Sequence, residues 1–120
     1  METTLFDRKG HAAAYIADDG ENSIYLWNGQ AVAYVDDETI YGWNGHHLGF
    51  FVSGTLYDLR GRRLGFVRES CPVVTLVEPV KFVKKVKHVR HVRHVAHVRP
   101  VLSTGPSDDE LAGFLQKGSC

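Results

Sequence analysis

The sequence has few cysteines, no long hydrophobic run and no basic leader, and each absence excludes a class of protein. Its two cysteines, Cys71 and Cys120, lack the pair spacing of a metal site and are typical of incidental thiols in a reduced intracellular protein. No apolar run approaches the ~20 residues of a membrane helix, and the start has no signal-peptide pattern. We therefore expect a cytoplasmic protein without a membrane partner.

Net charge is also absent, but the formal value of zero conceals a division along the chain. Residues 1–70 carry six Lys or Arg against ten Asp or Glu, a balance of −4. Residues 71–101 carry seven Lys or Arg against Glu78 alone, and residues 102–120 return −2. The chain therefore consists of an acidic body, a basic arm and a short acidic end.

One unit of about sixteen residues occurs four times in the body. The clearest copies read SIYLWNG, from Ser23, and TIYGWNG, from Thr39. Weaker copies occupy Thr4–Ile16 and Thr55–Val67. The shared frame is Ser or Thr, an aliphatic residue, an aromatic residue, three variable residues and glycine. It continues with two variable residues, an aliphatic residue or Ala, Ala or Gly, an aromatic residue and an aliphatic residue.

Each copy is typical of a β-hairpin with a glycine in its turn. Asn28-Gly29 and Asn44-Gly45 indicate type I′ turns, in which both central residues have positive φ. The flanking Tyr, Phe, Val and Ile residues favour strands. The predicted structural turn residues are Gly10, Gly29, Gly45 and Gly61.

Eight short strands leave no room for crossover helices, so the body is predicted to be all-β. A single hairpin cannot bury its own apolar face, and the copies must pack on one another. A row of hairpins would need unequal end caps, which the sequence does not show. We predict four hairpins in a closed pseudo-fourfold arrangement, because closure also removes exposed sheet edges.

The repeat motifs resemble those of a known family. The motifs are the Leu-Phe-Asp-x-x-Gly opening, the Tyr-x-Trp-Asn-Gly-x-x-Val/Leu-Ala/Gly-Tyr/Phe units and the closing Leu-Tyr-Asp-x-x-Gly-x-x-x-Gly-Phe. Over about residues 4–70 the chain resembles the four-fold β-flower proteins of bacteria, which also carry a tail of Val-containing basic triplets. The resemblance implies four hairpin petals. It implies no activity, because the family has no assigned function.

The basic arm, residues 71–102, has a three-residue period. Valine occupies every third position from Val77 to Val101. Polyproline II, with three residues per turn, would align these valines, while an extended β-strand stays open because valine favours it. Either form spans on the order of 65 Å from Val80 to Val101, against ~25–30 Å for the body. The arm must wrap the body, project from it or pack on a second chain, and we expect its valines to be covered.

The arm also contains histidines and cations that raise two binding hypotheses. In polyproline II its four histidines would lie ~9 Å apart, too far to share a zinc ion, so we predict no metal site. These histidines are His88, His91, His94 and His97. The basic side chains could contact phosphates. Docking on the acidic body is the interpretation we favour over nucleic acid. The candidate interaction residues are Lys84, Lys87, Arg90 and Arg93.

Residues 103–120 are predicted to be a linker followed by a short helix. Ser107-Asp108-Asp109-Glu110 resembles a capping box and predicts a helix over about 107–115. Leu111, Phe114 and Leu115 would share one face of it, which could dock on the body or on a neighbour.

No constellation in the sequence indicates catalysis. The best set is His46 and His47, near Trp43 and close in sequence to Asp36 and Asp37, but no serine or cysteine accompanies it. We predict no enzyme activity, no cofactor and no small-molecule substrate.

The predicted function is a non-catalytic structural or protein-interaction module that associates with itself. One alternative is an aromatic hairpin site for a sugar or a cation, in which Trp27 and Trp43 would take part. The other is weak nucleic-acid or anion binding through the arm. Aromatic residues at strand positions are more typical of a core, so we favour the structural interpretation.

Overall fold

The computed structural model describes residues 2–73, 75, 84, 102, 107 and 110–118. The body consists of eight short strands, and one short helix follows near the C-terminus. The elements are β1 (Thr3–Phe6), β2 (Ala12–Ile16), β3 (Ser23–Leu26), β4 (Ala31–Asp36), β5 (Thr39–Gly42), β6 (His47–Val52), β7 (Thr55–Asp58), β8 (Arg63–Phe66) and α1 (Leu111–Gln116).

The eight strands close into one antiparallel barrel in sequence order. Every strand pairs with the next, and β8 returns to β1 through Phe6 opposite Phe66. The predicted all-β fold of four hairpins in a closed arrangement is therefore confirmed. The arm lies outside the described residues except for its first few positions, Lys84 and Leu102, so the choice between polyproline II and a strand stays a prediction, as do the domain boundaries.

Each hairpin contains the same β-bulge on its second strand. In β3–β4 the register passes from Ile24 opposite Ala33 to Tyr25 opposite Ala31, which leaves Val32 without an opposite residue. The residues left out in the other three hairpins are Ala13, Leu48 and Leu64. A bulge increases local twist and bends the strand, which helps so short a sheet to close.

Aliphatic side chains of the first strands and small residues of the second strands fill the barrel interior. The aliphatic set, with no exposed surface, is Leu5, Ile24, Ile40 and Leu56. Opposite them lie Ala14, Ala33, Gly49 and Gly65. A Cβ atom at Gly49 would collide with the carbonyl oxygen of Tyr57. The small residues therefore permit the close approach of neighbouring hairpins.

Helix α1 packs its apolar face onto one end of this core. Leu111, Phe114 and Leu115 are buried in the same cluster as the interior aliphatic residues. The predicted apolar face is therefore correct, but the predicted start near 107 and the capping box are wrong. The helix begins at Leu111, and its N-cap residue Glu110 makes no side-chain cap hydrogen bond. Ser107 is bonded to the barrel instead.

Candidate functional site

The four hairpin turns share one backbone geometry. In the second hairpin the Gly29 N–H donates to the Leu26 carbonyl and the Leu26 N–H donates to the Gln30 carbonyl, both at 2.9 Å. Equivalent bonds occur in the other three hairpins. The turn glycines have φ angles of 85° at Gly10, 93° at Gly29, 89° at Gly45 and 82° at Gly61. These are left-handed conformations that favour glycine.

The type I′ prediction for the two Asn-Gly turns is wrong. Asn28 and Asn44 are not among the described residues with positive φ. The loops instead have three residues, and the glycine in the left-handed region forms a bulge with the next strand. Two adjacent positive φ angles occur at Ser53 (52°) and Gly54 (78°), in the return turn between β6 and β7.

Two different side chains stabilise the shared turn. Asp7 Oδ1 accepts hydrogen bonds from the N–H groups of Lys9 and His11. In the fourth hairpin, Asp58 Oδ1 accepts equivalent bonds from Arg60 and Arg62. The second and third hairpins use an asparagine two residues later: Asn28 Oδ1 accepts from Gln30 N–H and Asn44 Oδ1 from His46 N–H.

Ser107 ties the C-terminal segment to the first and fourth hairpins. Its N–H donates to the Arg63 carbonyl at 2.8 Å, and its carbonyl accepts from Arg8 Nη1 at 2.7 Å. Its Oγ donates to Asp58 Oδ2 at 2.6 Å. Burial raises the pKa of Asp58, but hydrogen bonds from Ser107 Oγ and from the N–H groups of Arg62 and Arg60 lower the pKa by more, so it lies below its ordinary value.

The second and third hairpins hold the other end of the helix. The Asn44 N–H donates to the Gly118 carbonyl at 3.1 Å, and Asn44 Nδ2 donates to the Lys117 carbonyl at 2.9 Å. Gln116 Nε2 approaches Gln30 Oε1 at 3.4 Å. All four hairpins thus contribute a polar contact to the segment that closes this end of the barrel.

A cleft of about 600 Å³ lies beside the helix, between the turns of the third and fourth hairpins. His46, Arg60 and Lys117 contribute basic groups, and Asp58 and Phe114 also line it. The cleft has the size of a small-molecule site. It is larger than two other clefts in the described part of the chain, of about 320 and 340 Å³, and it lies on the turn side of the barrel.

The acid–base set considered from the sequence is not assembled. His47 is 5% exposed, and its Nε2 lies 2.9 Å from the Gly49 carbonyl, an arrangement in which Nε2 carries the proton. Asp36 ends β4, and Asp37 follows it at the opposite end of the barrel from the turn that contains His46. A general base must lie within hydrogen-bond reach of its partner, which this separation prevents.

Charge divides between the two ends of the barrel. The return-turn end carries carboxylates at Asp18, Asp19, Glu21, Asp36, Asp37 and Glu38. The hairpin-turn end carries six cations against the carboxylates of Asp7, Asp58 and Glu110; the cations are Arg8, Lys9, Arg60, Arg62, Arg63 and Lys117. The repeat register contained part of this signal, because acidic residues lie in the two connections between the first three units and Lys or Arg residues lie in the turns of the first and fourth units. The overall balance of the body concealed it.

The aromatic residues of the repeats lie outside the barrel interior, in cross-strand pairs between neighbouring hairpins. The pairs are Tyr15 with Tyr25, Tyr34 with Tyr41, Phe50 with Tyr57, and Phe66 with Phe6. The first pair stacks at 5.6 Å and the second at 5.8 Å between ring centroids. Each of these eight residues is at most 9% exposed. Alternation of side chains along each strand directs the pairs away from the filled interior.

The two tryptophans belong to these stacks. Trp27 packs edge-on against Tyr15 and Trp43 edge-on against Tyr34, each at 5.6 Å between ring centroids. Trp43 is 2% exposed. An aromatic cage for a ligand needs accessible ring faces, so this burial favours a structural role for Trp43, while Trp27 is only partly buried.

Lys84 is the described member of the predicted basic interaction set. Its Nζ lies 2.7 Å from Glu2 Oε2, and 5.8 Å and 5.5 Å from the ring centroids of Tyr15 and Tyr25. A hydrogen bond with Glu2 raises the pKa of Lys84. The other three members lie outside the described residues: Lys87, Arg90 and Arg93.

The described part of the chain contains neither a cluster of metal-ligating side chains nor a helix that could cross a membrane. No group of three His, Cys, Asp or Glu side chains there could hold a metal ion. The four arm histidines, from His88 to His97, are not among those residues. The helix described here is too short to cross a membrane.

Comparison with known proteins identifies one similarity. The family described as 4-fold beta flower protein matches residues 3–115. The match covers the barrel, the arm and most of α1. No curated protein and no solved structure matches the chain.

Proposed function

Since the chain belongs to the four-fold β-flower protein family, for which no function is assigned, we propose a non-catalytic structural or protein-interaction module that associates with itself. The observation that carries this proposal is the filled and covered barrel. Interior side chains and α1 form one apolar cluster, which leaves the charged turns at the two ends of the barrel for contacts with other molecules. We also propose a cytoplasmic location, on the grounds of the two thiols.

The division of charge supports association between copies of the chain. The basic end of one barrel complements the acidic end of another, which favours a head-to-tail arrangement. Contacts of this kind weaken as salt is added, because exposed charges are screened over a Debye length of about 8 Å at physiological ionic strength.

Sedimentation velocity across protein and salt concentrations tests the proposal. We expect species larger than the monomer at low salt and their loss at high salt. Reversal of the basic end, by Lys9→Glu with Arg60→Glu, should give a monomer. Reversal of the acidic end, by Asp18→Lys with Asp36→Lys, should do the same. All four positions are exposed.

Mixing variants provides the matched control for this experiment. Each charge-reversed variant keeps one native end, so it should bind a wild-type chain through that end and stop further growth of the assembly. A mixture with the wild type should therefore form only complexes of limited size. A chain that stays monomeric at every salt and protein concentration would contradict self-association. Association that is insensitive to both reversals would contradict the head-to-tail arrangement and retain an interaction module of another geometry.

Anion binding at the hairpin-turn end is a second candidate function. It is favoured by the cleft of about 600 Å³ and by the basic groups of His46, Arg60 and Lys117 beside it. Titration with inorganic phosphate and with a short single-stranded oligonucleotide would test it, with Arg60→Gln as the variant. We expect no strong nucleic-acid binding at physiological salt, because the whole chain has no net charge.

A further inference from the structure

The site around Lys84 combines one carboxylate with two aromatic rings, and both kinds of group attract a cation. Glu2 supplies a carboxylate at 2.7 Å, and Tyr15 and Tyr25 present ring faces within 6 Å of the ammonium. Lys84 lies far along the chain from all three residues. It therefore fixes one point of the basic arm on the outside of the first and second hairpins.

The repeat places similar groups at two further positions around the barrel. Glu21 and Asp37 lie two residues before the first conserved position of their units, as Glu2 does. In the repeat register Glu21 corresponds to Glu2 for the pair Tyr34–Tyr41, because Ser23 lies opposite Tyr34 as Thr4 lies opposite Tyr15. Asp37 corresponds to Glu2 in the same way for the pair Phe50–Tyr57, with Thr39 opposite Phe50. Each set consists of a carboxylate and an outward aromatic pair, which is the composition of the site that holds Lys84.

The fourth position differs and marks where the arm begins. Ser53 replaces the carboxylate there, and a cation from the body is already present: the Arg68 guanidinium lies 5.1 Å from the Phe6 ring centroid. Arg68 Nη1 also donates to Thr75 Oγ1 at 2.9 Å. The chain therefore leaves the body beside the fourth aromatic pair and reaches the first pair at Lys84.

The length of the arm matches one circuit of the molecule. Thr75 is held beside the fourth pair, and Ser107 is held by the fourth and first hairpins. The molecule measures 36 × 36 × 23 Å. A circuit around its wide dimension is on the order of 100 Å, and the residues from 75 to 107 span about the same distance when extended.

We propose that the outside of the barrel is a binding surface whose occupant is the basic Val-triplet segment of its own chain, the sequence between Thr75 and Ser107. The sets Glu21–Tyr34–Tyr41 and Asp37–Phe50–Tyr57 then each take an arginine or lysine of the arm, as the first set takes Lys84. The proposal is independent of self-association.

The burial of the outward rings and the environment of Lys84 support this assignment. The outward aromatic residues of the second and third pairs are between 2% and 9% exposed, although they lie on the outer face of a single-layered barrel. Valine side chains beside cations supply apolar cover for rings and charge for the adjacent carboxylates. Burial, followed by the Glu2 carboxylate, raises the pKa of Tyr15, and the pKa of Lys84 is also raised, so the ammonium persists over the physiological pH range.

Limited trypsin digestion of the full chain tests the proposal. Cleavage after Arg90 and Arg93 should be at least about tenfold slower in the protein than in a free peptide of residues 76–101, because a docked segment is cut only after local opening. The double variant Glu21→Gln with Asp37→Asn removes both carboxylates with little change of shape. It should speed cleavage at these arginines about fivefold, the effect of a modest ion pair.

The matched control removes two exposed carboxylates that belong to neither set. Asp18→Asn with Glu69→Gln should leave the rate of cleavage within about twofold of the wild type. A charge exchange tests the first set: Lys84→Glu should loosen the arm, Lys85→Glu should not, and Glu2→Lys should restore protection to Lys84→Glu. Circular dichroism should report the same folded barrel in every variant.

Three outcomes would overturn the proposal. The first is cleavage of the arm in the protein as fast as in the peptide. The second is an equal effect of the two carboxylate pairs, which would indicate general electrostatics. The third is protection that rises with protein concentration together with a dimeric mass, which would show that the arm binds a second copy.

Discussion

The first and fourth hairpins and the second and third hairpins reach one turn geometry with different side chains. In the first and fourth, an aspartate precedes the loop and its Oδ1 accepts two backbone N–H bonds. In the second and third, the first loop positions are Trp27-Asn28 and Trp43-Asn44, and each asparagine accepts one such bond. The glycine that follows has positive φ in all four.

This difference shows that the four turns share their backbone conformation and not their side chains. The side chains at the turns can therefore make additional contacts that differ from one hairpin to the next. Asp58 retains a second oxygen for Ser107, which ties the C-terminal segment to the barrel. Asn44 uses its amide to hold the end of α1. The fourfold barrel therefore receives an asymmetric helix without a change in its turns.

The largest expected effect is the removal of Asp58. Asp58→Ala leaves a buried hydroxyl of Ser107 and two backbone N–H groups without their acceptor, and should lower the free energy of unfolding by about 2–3 kcal/mol. Urea denaturation measures it. Ser107→Ala, which removes only one of these bonds, should cost less. If Asp58→Ala lowers the free energy of unfolding by no more than Asp7→Ala does, the additional role assigned to Asp58 is wrong.

The shared glycine should rank next, and it should matter equally on both sides of the comparison. Gly45→Val and Gly61→Val place a β-branched residue at φ angles of 89° and 82° and should each cost more than about 1 kcal/mol. Gly113→Ala is the control, because a Cβ at Gly113 in α1 meets nothing within 4 Å, and it should stabilise the chain slightly. Neutral results at both turn positions would show that the hairpin register is wrong.

Asp7 tests the aspartate turn without the additional bond that Ser107 makes to Asp58. Asp7→Ala should cost about 1 kcal/mol, because the N–H groups of Lys9 and His11 are exposed and water replaces the lost acceptor. Asn28→Ala loses one bond of the same kind and should cost about half as much. The comparison would need revision if the asparagine variant were the more destabilised of the two by thermal melting.

The smallest effect should be the pH dependence that Asp58 contributes, because burial and hydrogen bonding act on its pKa in opposite directions. Its folded pKa lies below the ordinary value of 3.8, so its carboxylate stabilises the fold above that pH. The contribution is lost as the pH falls below 3.8 toward the folded pKa. The difference in free energy of unfolding between the wild type and Asp58→Asn should therefore become smaller as the pH falls. A difference that becomes larger would show that the folded pKa of Asp58 is raised and not lowered.

Much of the barrel could be predicted because its repeat is local. The spacing of Tyr25 and Tyr41 from their turn glycines defines hairpins without knowledge of the tertiary structure, and closure follows from the lack of end caps. The bulge at Val32 could not be predicted, since it depends on the curvature that closure imposes. Asn28-Gly29 favours a type I′ turn in a flat hairpin, but the bulged strand beside it requires three loop residues.

The attachment of the C-terminal segment through Ser107 was the feature that sequence reasoning missed. Ser107 followed by Glu110 resembles a helix cap, and local pattern alone gives no reason to assign the serine to Asp58. That assignment depends on a contact between residues 49 positions apart. The sequence contained one indication: an aspartate precedes the turn in the first and fourth hairpins but not in the second and third. It indicates only that the first and fourth hairpins have an additional role.

The single pairing of Phe6 with Phe66 at the junction of β1 and β8 has a consequence for how the chain folds. Seven of the eight strand junctions join neighbours in sequence, and this one joins the ends of the body. Local contacts form at a low cost in loop-closure entropy, so we expect the hairpins to assemble early and this junction to close last. Phe66→Leu should then accelerate unfolding and leave the refolding rate nearly unchanged, which stopped-flow fluorescence of Trp27 and Trp43 would measure. An equal change in both rates would place the junction in the folding nucleus.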